Sequence, residues 1–217
     1  MSEIKDKDNI EQIDIYEDVR LPLIALRGMV GFPGVQLSIE IVRPISLKAF
    51  TAAATMHNAK ILLVAQKDIG VEDPKASDLY SIGIIAEIKH VVKNPHGNLS
   101  VVFEGISRAK INSVELESGF MIANATAKKE KQTFKSSERC AALMLEIKNL
   151  LKDIKELHPS FDEDLRLAAE AITDAGYFAD FTASSAVIDY KNKQTVLEAL
   201  KPSNRLEKLL GALEEEV

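Results

Sequence analysis

The sequence has no tryptophan, one cysteine and four histidines in 217 residues, and each shortage removes a class of function. Cys140 has no partner for an internal disulfide, which suits a reducing, cytoplasmic setting. His57, His90, His96 and His158 stand at no three- or four-residue helical spacing, so no zinc-type ligand set forms. No Gly-Lys pair occurs anywhere, which excludes a phosphate-binding loop of the Gly-Lys-Ser/Thr kind. No apolar run reaches about 18 residues, so no membrane span is expected. The opening MSEIKDKDNIEQ lacks the basic-then-apolar pattern of a signal peptide. A basic stripe is missing too. Net charge is -6, and the first 20 residues hold seven acids against three bases. The remainder, with 24 bases and 26 acids, is near balance. Nucleic acid is therefore not an expected partner, and neither is a membrane.

What is present is apolar patterning. Residues 1–18 are acidic and predict a flexible tail. Residues 19–130 are β-rich. VRLPLIAL (19–26) reads as a strand, with Pro22 placing it at a sheet edge or a strand start. Val35, Leu37, Ile39 and Ile41 alternate with polar residues as a half-buried strand. Pro44 opens a helix to about His57, with Ile45, Ala49, Ala52, Ala53 and Met56 on one face. KILLVAQ (60–66) reads as a central buried strand. The segments 84–92 and 99–105 flank the turn Asn94–Asn98 as a hairpin, and two further strands are expected at 107–117 and 120–128. Six or seven strands with one helix imply a small closed or partly closed sheet.

Residues 131–217 switch to a helical period. Cys140, Leu143, Met144, Ile147, Leu150, Leu151 and Ile154 mark one face of a long helix. Ser160 with Glu163 has the form of a capping box, Asp174 and Asp189 cap later helices, and Pro202 opens the last. The fold class is α+β: a β-domain with one helix, then an all-α bundle. The last helix carries acids where a helix C-terminus disfavours them, and we expect it to continue in a longer parent protein.

No catalytic constellation emerges. Ser136-Ser137 and Ser184-Ser185 read as caps or turns before helices, and Cys140 as a buried thiol. The distinctive stretch is LPLIALRGMVGFPG (21–34). Gly28, Gly31 and Gly34 are read as structural turns because a strand, not a helix, follows them. Met29, Val30, Phe32 and Pro33 admit two readings. They either close the open end of the sheet or form an exposed patch for apolar polypeptide.

LPLIALRGMVGFPG, KILLVAQKD, DPKASDLYSIGIIAEI and VFEGISRAKI, in this order, resemble the N-terminal domain of the ATP-dependent protease Lon. ADFTASSAVIDYKNKQTVLEALKPSNRLEKLL is similar to the family's last helices, so the resemblance runs over about 19–217. It implies a PUA-like β-domain followed by a helical bundle, with no cofactor and no catalytic residue. It implies recognition of unfolded or tagged protein substrates and self-association in a parent homo-oligomer. ATPase and peptidase chemistry would lie elsewhere in the parent. Relatives often carry Asp or Asn at the position of Gly28, which implies a left-handed turn there. Gly105 and Arg108 match a G-x-x-R pattern, read as a bend with a fixing hydrogen bond. The alternatives are a module for oligomerisation, driven by the helical half, and a stand-alone domain with another ligand such as RNA.

Overall fold

The computed structural model describes residues 15–95, 98–129, 137–157 and 162–216. Six strands come first: β1 (Ile15–Leu26), β2 (Gln36–Ile41), β3 (Lys60–Ala65), β4 (Ile82–Lys93), β5 (Leu99–Glu117) and β6 (Phe120–Lys129). Helix α1 (Pro44–Met56) lies between β2 and β3. Five further helices follow: α2 (Glu138–Leu157), α3 (Glu163–Ala171), α4 (Ala175–Ala186), α5 (Tyr190–Glu198) and α6 (Pro202–Glu216). The architecture is α+β, as the change of period near residue 130 implies.

Five strands close on themselves. β1 pairs with β3 in parallel, and β3–β4, β4–β5, β5–β6 and β6–β1 are antiparallel. A parallel pair needs a crossover, and β2 with α1 supplies it. Side chains alternate between two cores. Leu21, Leu23, Leu62, Val64, Ile85 and four alanines of β5 and β6 (109, 123, 125, 127) pack inside the ring. Small residues suit this interior, because five strands enclose little space. The opposite faces, with Ile24, Leu26, Ile61, Leu63 and Ile122, pack outward against α1.

Several elements differ from the sequence reading. β1 begins at Ile15, so Ile15–Asp18 pair with β6 and are not tail, and residues 1–14 lie outside the described residues. Pro22 sits in mid-strand, opposite Ile122, just before pairing with β3 begins at Leu23. One side of β1 is thus still an edge at the proline, which lacks a ladder donor. The strands expected at 99–105 and 107–117 are one 19-residue strand. Ile106 is displaced from its ladder, and Ile85 opposes Ser107 while Ala86 opposes Gly105. In α1, Met56 is 68% exposed, and Phe50 takes the buried place instead.

The helix starts follow local chemistry. Asp174 accepts from Tyr177 N–H, and Asp189 from Lys191 and Asn192 N–H. At α3 the cap is Asp162, accepting from Asp164 N–H at 2.9 Å. Ser160, expected there, lies outside the described residues, as do Ser136, His96 and His158. Ser137 accepts from Cys140 N–H at 3.3 Å and caps α2. Ser184 and Ser185 close α4 and do not precede a helix.

The composition suggests two separate parts, yet one core runs through both. Phe32 of the loop after β1, with Ile84 and Phe103 of the strands, shares a buried cluster with Phe178, Ala179, Leu197, Leu206 and Leu209 of the helices. Polar ties cross the same junction. Gln194 Nε2 donates to Ile82 O at 3.0 Å, and Tyr190 Oη to Lys67 O at 3.0 Å.

Candidate functional site

The loop after β1 is shaped by close approach as well as by φ. Gly28 has φ 65°, the left-handed turn that the sequence implies there. Phe32–Val35 is a β-turn closed by Val35 N–H to Phe32 O at 3.3 Å, with Pro33 and Gly34 at its centre. Gly34 has φ 73°, as a type II turn requires. Gly34 N–H then donates to Gly105 O at 2.9 Å, and Gly105 N–H to Val35 O at 3.0 Å. Two residues thus face one, a bulge with glycine in the left-handed position. Gly31 has no positive φ. Its role is clearance, since a Cβ would stand 2.5 Å from Ile84 Cδ1.

This flat seating turns the loop's apolar side chains inward. Phe32 is 1% exposed and Val30 4% exposed; Pro33 is buried as well. Met29 is half-buried against the same core. Val30, Phe32 and Met29 therefore pack into the core that the strands share with the helices, outside the ring interior. As an exposed polypeptide-binding patch the set fails, because three of its four members have no surface to offer.

Apolar surface at this end comes from neighbouring segments. Arg27 Nε donates to Ile69 O at 2.5 Å, which sets the exposed Ile69 beside Gly28. At the other end of the loop, Gly34 lies against the ring of Tyr177, the ring carbons standing 3.1 and 3.2 Å from where a Cβ would be. Tyr177 is itself exposed on α4, and its ring is 6.1 Å from that of Phe181, tilted by 46°. The α4–α5 link carries Ile188, 85% exposed, two residues from the Tyr190 that is tied to Lys67. Ile69, Tyr177 and Ile188, with half-buried Met29 and Phe181, make a discontinuous apolar rim at the junction of barrel and bundle, with exposed Lys67, Asp68 and Asp189 set among them. Burial pushes the nearby Tyr80 hydroxyl up from its ordinary pKa, and the neighbouring Tyr190 hydroxyl and the carboxylates of Glu198 and Asp189 add to it. It stays a neutral phenol. No three His, Cys, Asp or Glu side chains gather as a metal site among the described residues.

Gly105 and Arg108 are structural in a way the sequence does not indicate. A Cβ on Gly105 would meet Phe32 O at 2.0 Å. Arg108, 1% exposed, donates from Nη1 and Nη2 to the two oxygens of Asp180 at 2.8 and 2.6 Å, and from Nε to Leu197 O at 2.8 Å. Arg205, equally buried, reaches Asp180 Oδ2 at 3.3 Å and the carbonyls of Ala199 and Leu200. The sequence gives little sign of Asp180 and Arg205 as partners of Arg108. The signal was a lone carboxylate inside the apolar helix run YFADFTAS.

Residues 20–215 match the family described as the ATP-dependent protease La (LON) substrate-binding domain. The chain is 33% identical over 197 residues to the Lon protease of Endomicrobium trichonymphae, covering 91% of this chain and 24% of that protein. It is 34% identical over 206 residues to the Lon protease of Elusimicrobium minutum, covering 91% and 24%. The chain thus spans about a quarter of these relatives' length. The fold is similar to the N-terminal domain of the Mycobacterium avium complex Lon protease, with TM-score 0.70 and 20% identity over 92% of this chain and all of that one. It is also similar to the Lon N-terminal domain protein of Xanthomonas campestris, with TM-score 0.63 and 14% identity over 89% and 98%. With its family match running over nearly the whole sequence, this chain belongs to the Lon protease substrate-binding domain family.

Proposed function

We propose that the chain recognises unfolded or tagged polypeptides for an ATP-dependent Lon-type protease. ATP hydrolysis and peptide cleavage are then the work of other parts of the parent protein, since these 217 residues hold no Gly-Lys-Ser/Thr loop. The observation that carries the reading is the apolar rim around the barrel–bundle junction, in a member of a substrate-binding family. Ile69, Tyr177 and Ile188 give it exposed apolar area, and Met29 and Phe181 add half-buried apolar side chains. Exposed apolar groups that share one edge mark contact surfaces. A patch of a few side chains binds weakly, because little surplus remains after association costs. Several copies in an assembly raise the apparent affinity through effective concentration. A cytoplasmic setting fits this role, and no helix among the described residues is long and apolar enough to cross a membrane.

The test is fluorescence anisotropy with a permanently unfolded polypeptide, reduced and carboxymethylated so that it cannot refold. The combined variant Ile69→Ser, Tyr177→Ser and Ile188→Ser is expected to bind at least tenfold more weakly while keeping its unfolding temperature. All three side chains are exposed, so the core is spared. Equal affinity in the two folded proteins would reject the rim as the contact surface.

A further inference from the structure

The sheet ends at β2. Its hydrogen-bonded neighbour is β5, and no other described element runs along its far side. The bulge fixes the phase of the ladder. Gly105 exchanges its bonds with Gly34 and Val35, so strict alternation turns Leu37, Ile39 and Ile41 toward β5. Gln36, Ser38 and Glu40 then direct their N–H and C=O groups away from the sheet, and their side chains are exposed. Leu37 and Ile39, on the opposite face, are half-buried against the main core.

Sheet edges are ordinarily guarded by lysine, proline or charges on the inner face. Between Val35 and Val42 the only charge is Glu40, and there is no lysine or proline. The Glu40 carboxylate is already engaged, accepting from Asn94 Nδ2 at 2.7 Å and Asn98 Nδ2 at 3.0 Å. The edge is open.

We propose that β2 pairs antiparallel with β2 of a second copy of this chain, about a twofold axis at Ser38. In that register Ser38 faces Ser38, Gln36 faces Glu40 and Leu37 faces Ile39. All three outward residues of each copy meet outward residues of the other, so every free N–H and C=O on the edge finds a partner. A register centred on Glu40 would set like charges opposite each other. The Leu37–Ile39 pairs cover apolar surface that each copy leaves half open. A substrate strand of arbitrary sequence could satisfy the backbone but has no such side-chain match. A second copy has it by symmetry.

One short strand buries less than the roughly 1,200 Å² of a stable interface, so the dimer is weak. Sedimentation of the 217-residue chain therefore extends to about 500 µM, near the millimolar limit of weak binding. The wild type is expected to shift from monomer to dimer with concentration. Ser38→Pro removes an outward N–H, spares the β5 ladder, and is expected to stay monomeric with unchanged circular dichroism. Ser38→Cys is expected to cross-link on oxidation, since hydrogen-bonded antiparallel partners lie about 5.5 Å apart at Cα, within disulfide reach. Gln36→Cys, whose counterpart is Glu40, is expected not to. Cys140 is buried and stays silent. A wild type monomeric at every concentration overturns the proposal. So does a dimer that survives Ser38→Pro, or equal cross-linking by the two cysteine variants. If the wild type is monomeric and Ser38→Pro instead weakens capture of the unfolded polypeptide, the edge receives substrate strands and the twofold pairing is wrong.

Discussion

At the scale of single residues, glycines with the same lack of a side chain have opposite sensitivities. Gly105 is fixed by a backbone oxygen, Phe32 O, 2.0 Å from where a Cβ would stand. That oxygen belongs to the turn that holds the whole 28–34 loop, so it cannot yield without opening the bulge at Gly34 and Val35. Gly105→Ala is expected to cost about 3 kcal/mol, as overpacking of a rigid site does. Gly211, in the middle of α6, has nothing within 4 Å of its missing Cβ. Gly211→Ala is expected to gain about 0.5–1 kcal/mol from reduced chain entropy and better helix propensity. Urea midpoints of the two variants check both signs. A Gly105→Ala protein as stable as wild type would mean that the turn can shift, and that the loop's inward seating is softer than its geometry suggests.

At the scale of elements, the strongest tie between strands and helices is the buried group of Arg108 on β5, Asp180 on α4 and Arg205 on α6. Each guanidinium has carbonyl partners besides the carboxylate. Removing Asp180 would leave two arginines facing each other in a dry site. Asp180→Ala is therefore expected to cost about 3–5 kcal/mol, the penalty for breaking a buried pair. In a chain of this size that lowers the unfolding temperature by about 10 °C or more. Arg20→Ala, which cuts an exposed pairing to Glu115 and Glu117, is expected to change it little. If the two variants melted alike, the buried group would hold the elements together no better than a surface pair.

These elements also mark what the sequence could disclose. Pro44, Asp174, Asp189 and Pro202 each announce a helix start correctly, because capping and φ restriction act within a few residues. β5 was hidden because Gly105 reads as a break, and only contact with Phe32, over 70 residues earlier, makes it a mid-strand necessity. The direction of Phe32 and Val30 was equally hidden. Whether an apolar loop turns in or out is decided by clearances at Gly31–Ile84 and Gly105–Phe32, which no local pattern encodes. Ile69 and Ile188 gave no signal at all, being single apolar residues in connecting segments without a period.

At the scale of the whole molecule, the chain is expected to unfold as one unit although its composition divides near residue 130. The barrel interior is small and largely alanine on β6. Most large apolar residues of the strand half, among them Phe32, Phe50 and Phe103, belong instead to the cluster shared with α4, α5 and α6. Cutting the chain between the halves would expose one wall of that cluster on each piece and would strand Arg108 without Asp180. Calorimetry of the intact chain is expected to give a single transition whose van't Hoff and calorimetric enthalpies agree, near the usual value of about 0.7 kcal/mol per residue. Fragments 15–129 and 137–216, expressed apart, are expected to lack cooperative melts and to recover one when mixed. Two separate transitions in the intact chain, or a sharply melting 15–129 fragment, would show that the shared core is a contact between two finished domains. The apolar rim at the junction would then sit on a movable hinge. With a single transition it is a fixed surface, and variants of Asp180 would weaken polypeptide binding only as far as they unfold the chain.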